Sequence, residues 1–191
     1  MQASLPPGRR AHGTSLIEVL VTIVILAFGM LGLVGLQSRL QLSEMEAYQR
    51  AQALILVDDM AQRIAANRNF AASYVTGAAS PLGTGSTCTL DTSASRAVQD
   101  NCEWTQALLG AAEMQGTSKV GAFLGGRGCV ENLGSGEYMV TIAWQGLGPL
   151  ATPPASVACA QGMYNGASGS KCVNDLCRRT VTTIVRIATL T

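Results

Sequence analysis

Between Leu16 and Leu36 the chain is apolar at nearly every position, with Glu18 its single charge. A helix of that length can cross a hydrocarbon core of roughly 30 Å. Past Leu36 the pattern changes. Leu42, Met45, Gln49, Ala53, Leu56, Met60 and Ile64 recur at steps of three and four, while Ser38, Arg39, Glu44, Glu46, Arg50, Asp58, Asp59 and Arg63 fill most other faces. That is the stripe of a helix seated on a folded domain. No proline interrupts residues 14–67, and one helix across them would be on the order of 80 Å long. A domain of this size needs no such rod, so half of it is expected to be buried in lipid or in neighbouring copies.

Further along, small polar residues with Gly77, Pro81, Gly83 and Gly85 mark a loop from Asn67 to Ser86. A short helix is expected from Trp104 to Ala112. Residues Tyr138–Trp144 and Thr180–Ala188 are rich in β-branched side chains and read as strands, with a third around Gly128, Cys129 and Val130. Three prolines and three cysteines lie between Gly146 and Cys177, which reads as a disulfide-tied loop. The predicted class is therefore α+β: a long N-terminal α-helix, half membrane-spanning and half amphipathic, packed on a small antiparallel β-sheet.

Composition changes this picture in three ways. Charged residues are only 13% and the net charge is +1, with no basic stripe, so nucleic-acid binding has no electrostatic support. All six cysteines follow residue 87, as expected for a disulfide framework in an oxidising compartment. Arg9 and Arg10 precede the apolar run, which places the N-terminus on the cytoplasmic side and the cysteines outside the inner membrane. The lone histidine, His12, sits in the leader. A chain cut after Gly13 has no imidazole for a hydrolytic triad. It also lacks a phosphate-cradling glycine loop, and a Ser-Lys pair would have to use Lys119 or Lys171. No catalytic residue, cofactor or metal site is expected. Cys172 and Cys177 have no second close pair or histidine to complete a zinc site. Asn174 and Asp175 offer too few oxygens for calcium and read as a solvated turn. Trp104 and Trp144 read as core.

A secretory signal carries its cleavage site after the apolar run; here the candidate site, Gly13, stands before it. The Arg9-Arg10 leader, Gly13, Thr14-Ser15-Leu16-Ile17-Glu18 and the uninterrupted helix together resemble a type IV pilin precursor. Residues 53–68, the Tyr138–Trp144 strand and Cys177-Arg178-Arg179-Thr180-Val181 resemble minor pilins of the PilV kind. Thr14 stands where the family usually places a large apolar residue, and Gly35 where major pilins commonly carry proline. Gly29, Gly32 and Gly35 soften the helix instead, each by about 1 kcal/mol relative to Ala.

The resemblance implies a leader at 1–13, a helix at 14–67 with its transmembrane part at 16–36, and a periplasmic globular domain at 68–191. It implies cleavage between Gly13 and Thr14 by a prepilin peptidase, N-methylation of Thr14, and an assembly role for Glu18, paired with the Thr14 α-amine of its own or a neighbouring subunit. Cleavage removes Arg9 and Arg10, taking the side-chain charge from +1 to about −1. The implied partners are other minor pilins, the major pilin and a tip adhesin. The expected function is a minor pilin that helps to initiate pilus assembly in a priming or tip complex. Its rivals are a minor pseudopilin of type II secretion and a membrane-anchored periplasmic enzyme or binding module. Fifteen connectivities are open to six cysteines; the expected pairs are Cys88 with Cys102, Cys159 with Cys172 and Cys129 with Cys177.

Overall fold

The computed structural model describes residues 15–85, 88, 93–110, 114–116, 118–119 and 123–188. Helix α1 runs Leu16–Ala66 and is followed by a 3-10 helix, Arg68–Tyr74. Helix α2 spans Arg96–Leu108. Two short strands, β1 (Met114–Gln115) and β2 (Ser118–Lys119), form a small pair. The main sheet is antiparallel with β3 (Arg127–Gly134), β4 (Glu137–Gln145) and β5 (Arg178–Arg186) in that order. The chain divides into two compact units, the second beginning at Glu44, so the later turns of α1 are part of the globular unit. The fold is α+β, a long helix with an apolar stretch packed on a small three-stranded sheet.

One stripe of α1 enters the core through Ala53, Val57, Met60 and Ile64. These follow the 4-3-4 spacing of a single helix face. The stripe differs from the expected one at its start and its middle: Leu42 and Met45 are exposed, and Val57 rather than Leu56 takes the central place. Against it pack Val130, Tyr138, Val140, Ile142, Trp144, Val181 and Val185 from one face of the sheet. The opposite face carries a smaller cluster of Cys129, Ala143, Cys159, Ala160 and Tyr164. Strand β4 is thus buried on both sides from Tyr138 to Trp144, which explains its near-continuous run of apolar residues. Ser135 and Gly136, both with positive φ, close the β3–β4 hairpin. Segment 76–82 covers the outer edge of β3: the Thr76 and Gly77 amides each donate to the Val130 carbonyl at 3.0 Å, and Leu82 bridges to Gly128.

Helix α2 starts eight residues before the expected position and ends at Leu108, where Gly110 turns left-handed at φ 82°. Its central residue is Trp104, fully buried, with Nε1–H donating to the Leu56 carbonyl of α1 at 2.9 Å. A side chain on Gly128 would strike the indole ring, so that glycine is what lets Trp104 lie on β3.

The disulfides are Cys88–Cys102, Cys129–Cys159 and Cys172–Cys177. The first is the expected pair. The expected Cys159–Cys172 and Cys129–Cys177 bonds do not form. Cys129 points from β3 into the smaller cluster, where Cys159 meets it, and Cys177 is spanned by its near neighbour across a tight turn.

Trp104→Ala removes a ring packed between α1, α2 and β3 and leaves the Leu56 carbonyl without its side-chain donor. The expected cost is about 3–5 kcal/mol, measurable by chemical denaturation of the detergent-solubilised chain.

Candidate assembly surface

The described helix begins immediately after Ser15, whose carbonyl accepts from the Glu18 and Val19 amides at 2.9 and 3.3 Å. Gly13 and Thr14 lie outside the described residues. Every residue from Leu16 to Leu36 is exposed, including Leu16 at 90% and Phe28 at 71%. By length and composition this helix can cross a membrane. Apolar surface on that scale demands a cover of lipid or protein.

Two polar side chains interrupt this surface. Thr22 turns its hydroxyl back to the Val19 carbonyl at 2.8 Å, satisfying itself within the helix. Glu18 is different. It lies in the first turn, where the helix's partial positive charge favours a carboxylate, and among the described residues it makes no ion pair. A carboxylate carried into an apolar bundle costs about 3 kcal/mol or more unless it finds a cation. Glu18 is therefore the one side chain in the segment whose chemistry calls for an outside partner. Gly29, Gly32 and Gly35 have open space where a side chain would stand, so another helix can approach the backbone closely there.

In the globular unit two clusters of charge are matched internally. Asp100 is buried and accepts from Arg63 Nη1 at 2.9 Å, Arg96 Nη2 at 3.1 Å and the Tyr74 hydroxyl. Arg63 also bonds Asp59 at 3.0 Å and Glu103. Burial works against the Arg63 charge, but the Glu103 hydrogen bond and the Asp59 and Asp100 carboxylates outweigh it and raise its pKa. Burial and then the bond to Asp100 push the Tyr74 phenol up to about 12. The cleft between α1 and α2 is thus lined by paired charges and works as a clamp between the helices. Arg63 looked like surface filling in the sequence; its spacing of four from Asp59 was the available signal of a role.

A second clamp holds loop 146–177. Arg178, 1% exposed, donates through Nη1 to the carbonyls of Val157 at 2.7 Å and Cys159 at 3.1 Å, with Asp175 Oδ2 at 3.3 Å from Nε. Asp175 also accepts the Gly162 amide at 2.8 Å. The expected solvated turn at Asn174–Asp175 is therefore corrected: both residues adopt positive φ, and Asp175 is buried against Arg178. Arg179 points to the other side of the sheet, reaching the Gly148 carbonyl at 2.6 Å and Glu46 of α1 at 3.3 Å. Tyr164 closes the loop from below, its hydroxyl shared between the Gly125 and Ala143 carbonyls at 2.8 and 2.9 Å, and burial raises its pKa.

Arg178→Met strands the Asp175 carboxylate in the interior and is expected to cost roughly 3–5 kcal/mol, read by denaturant unfolding. Glu131 offers a test with pH. Its Oε2 is buried without a partner, and burial raises its pKa above the ordinary 4.5. The folded chain holds that proton more tightly than the unfolded chain, so the group favours folding at acid pH and that contribution is lost as pH rises. Glu131→Gln should raise the melting temperature at neutral pH, with the gain shrinking as pH falls towards 4.5 and absent below it.

Residues 8–34 match the family model described as the prokaryotic N-terminal methylation motif. No curated protein and no solved structure matches the chain. The matched segment covers Gly13, Thr14, Glu18 and most of the exposed apolar helix. It supports a type IV pilin-like or pseudopilin-like structural subunit, one processed by a prepilin peptidase, anchored by its apolar helix and assembled with other pilins.

Proposed function

We propose that the chain is a minor pilin of the type IV pilus that helps to initiate assembly in a priming or tip complex. Residues 1–13 are the leader, removed between Gly13 and Thr14, and the new Thr14 amine is the methylated terminus. The precursor spans the inner membrane once through residues 16–36, with the cysteine-bonded domain in the periplasm. On assembly the helix exchanges lipid for a bundle of similar helices. Glu18 sets the register by pairing with a Thr14 α-amine, its own or that of a neighbour. Other minor pilins, the major pilin and a tip adhesin are the partners.

The observation that carries this reading is Glu18, the one charge in a fully exposed apolar stretch and without an ion pair among the described residues, inside the matched motif. Lipid alone gives that acid no cation, whereas a processed subunit supplies one at its own N-terminus. Burying the charge unpaired would cost several kcal/mol, so the pair provides both affinity and axial position.

Glu18→Val is expected to leave cleavage intact, seen as a mature mass beginning at Thr14, while the subunit disappears from sheared pili and pilus number falls. Normal incorporation of Glu18→Val would refute the pairing. If deletion spares the pili and instead blocks protein secretion, the subunit belongs to a type II secretion pseudopilus.

A further inference from the structure

The two edges of the main sheet are finished differently. On β3 the register shifts between Asn132 and Gly134, and segment 76–82 lies over the outside. On β5 the pairing runs without a shift from Glu137 with Arg186 to Gln145 with Arg178. At its two ends the Gly146 amide donates to the Cys177 carbonyl and the Ile187 amide to the Gly136 carbonyl, both at 2.8 Å. Residues of an antiparallel strand alternately bond the neighbour and turn their backbone groups away. In this register Arg179, Val181, Thr183 and Val185 bond β4, whereas Thr180, Thr182 and Ile184 turn N–H and C=O to the open side. Among the described residues nothing bonds them there. Natural edges are usually blunted by a bulge, a proline, a lysine or a covering segment. Strand β5 contains no proline or lysine, and Thr182 and Ile184 stand exposed.

A pocket of about 210 Å³ opens at the start of that edge, between α1 and the sheet. Trp144 and Leu150 give it an apolar wall, and Glu46, Arg50, Arg179 and Thr180 complete it. Arg179 is engaged by Glu46 and the Gly148 carbonyl. Arg50 is exposed and makes no ion pair among the described residues. Thr180 belongs to both the pocket and the open edge. A strand added beside β5 therefore carries a side chain past the pocket mouth, where Arg50 is an unmatched cation.

We infer that β5 is the docking edge for an extended segment of another protein, which adds as a further strand of the main sheet and sets an acidic side chain against Arg50. Backbone bonds to Thr180, Thr182 and Ile184 supply the affinity, and the pocket supplies the selection. A second copy of this chain is the poorer fit. Its own edge, Arg178–Arg186, holds three arginines and no acid. Pairing β5 with β5 would leave Arg50 unmatched and bring like charges together. The inference concerns the globular unit alone and does not rest on the Glu18 pairing.

The probe is an acetylated and amidated peptide of about seven residues, alternating valine and threonine with one glutamate near its end; a control peptide carries glutamine instead. Affinity for the full-length, isotope-labelled protein in detergent micelles is read by fluorescence anisotropy, and amide hydrogen exchange by NMR. Without peptide, the amides of Thr180, Thr182 and Ile184 are expected to exchange faster than those of Val181, Thr183 and Val185. At saturation the first three slow by at least about tenfold. The glutamine control and Arg50→Gln each weaken binding by about threefold, and Thr182→Pro, which removes an outward amide, abolishes it. Should Thr182→Pro fail to fold, the surface change Arg50→Gln and the control peptide decide. No slowing at about 1 mM peptide overturns the docking edge, as does slow exchange of the three amides in the free protein at every dilution. Slowing that appears on raising the protein concentration alone assigns the edge to a second copy and overturns the inference. Equal affinity for the two peptides overturns the acidic partner. Glu18→Val is expected to bind the peptide as the parent does, and a chain that enters pili yet leaves these amides unprotected overturns this inference alone.

Discussion

The first turns of α1 present apolar side chains on every side, and nothing else among the described residues covers them. Burying such surface is worth about 25 cal/mol for each Å² removed from water, so this segment is never left wet. Its backbone is satisfied within the helix, as any structure in lipid requires, and Thr22 satisfies itself. The segment is thus equally at home in a bilayer or in a bundle of like helices, and Glu18 alone distinguishes the two environments. A neutral apolar rod has no preferred axial position against its neighbours. One acid near its end supplies one.

The globular unit meets a different constraint. It has few aromatic residues and many small ones, and small cores are commonly reinforced by covalent ties. Three disulfides do this here, and two buried charged centres complete it. Asp100 draws α2 onto α1 through Arg63, with Arg96 of its own helix as a second partner. Arg178 and Arg179 are adjacent on β5 and so face opposite sides of the sheet; Arg178 holds the long loop from a buried position and Arg179 ties that loop to α1. Neither centre has an unmatched charge facing solvent, in contrast to Glu18.

Much of this was legible in the sequence because periodicity reports directly on burial. The apolar run, the Tyr138–Trp144 strand and the β5 strand are patterns of side chains that a local rule can read. The start of α2 escaped because its N-cap, Ser95, makes no side-chain bond and its first residues, Arg96 and Val98, look like surface. The pairing of the four later cysteines escaped for a deeper reason. It depends on which face of β3 Cys129 occupies, a tertiary fact, and sequence distance gives misleading weight to Cys159 with Cys172. Asp175 looked solvated because its acceptor role depends on a left-handed backbone and on Arg178 being folded inward. Glu18 stands out in the sequence by its isolation within an apolar run and not by contacts made elsewhere in the fold, and its assembly role is the proposal made above.

Because the core takes one wall from Ala53, Val57, Met60 and Ile64, the visible break in composition near Asn67 is the wrong place to divide the molecule. A water-soluble fragment made for crystallography or binding work would have to keep the helix from about Glu44 onward, sacrificing only the oily turns before it. Cut later, the sheet would lose its cover and the three cystines would staple a shell with no filling.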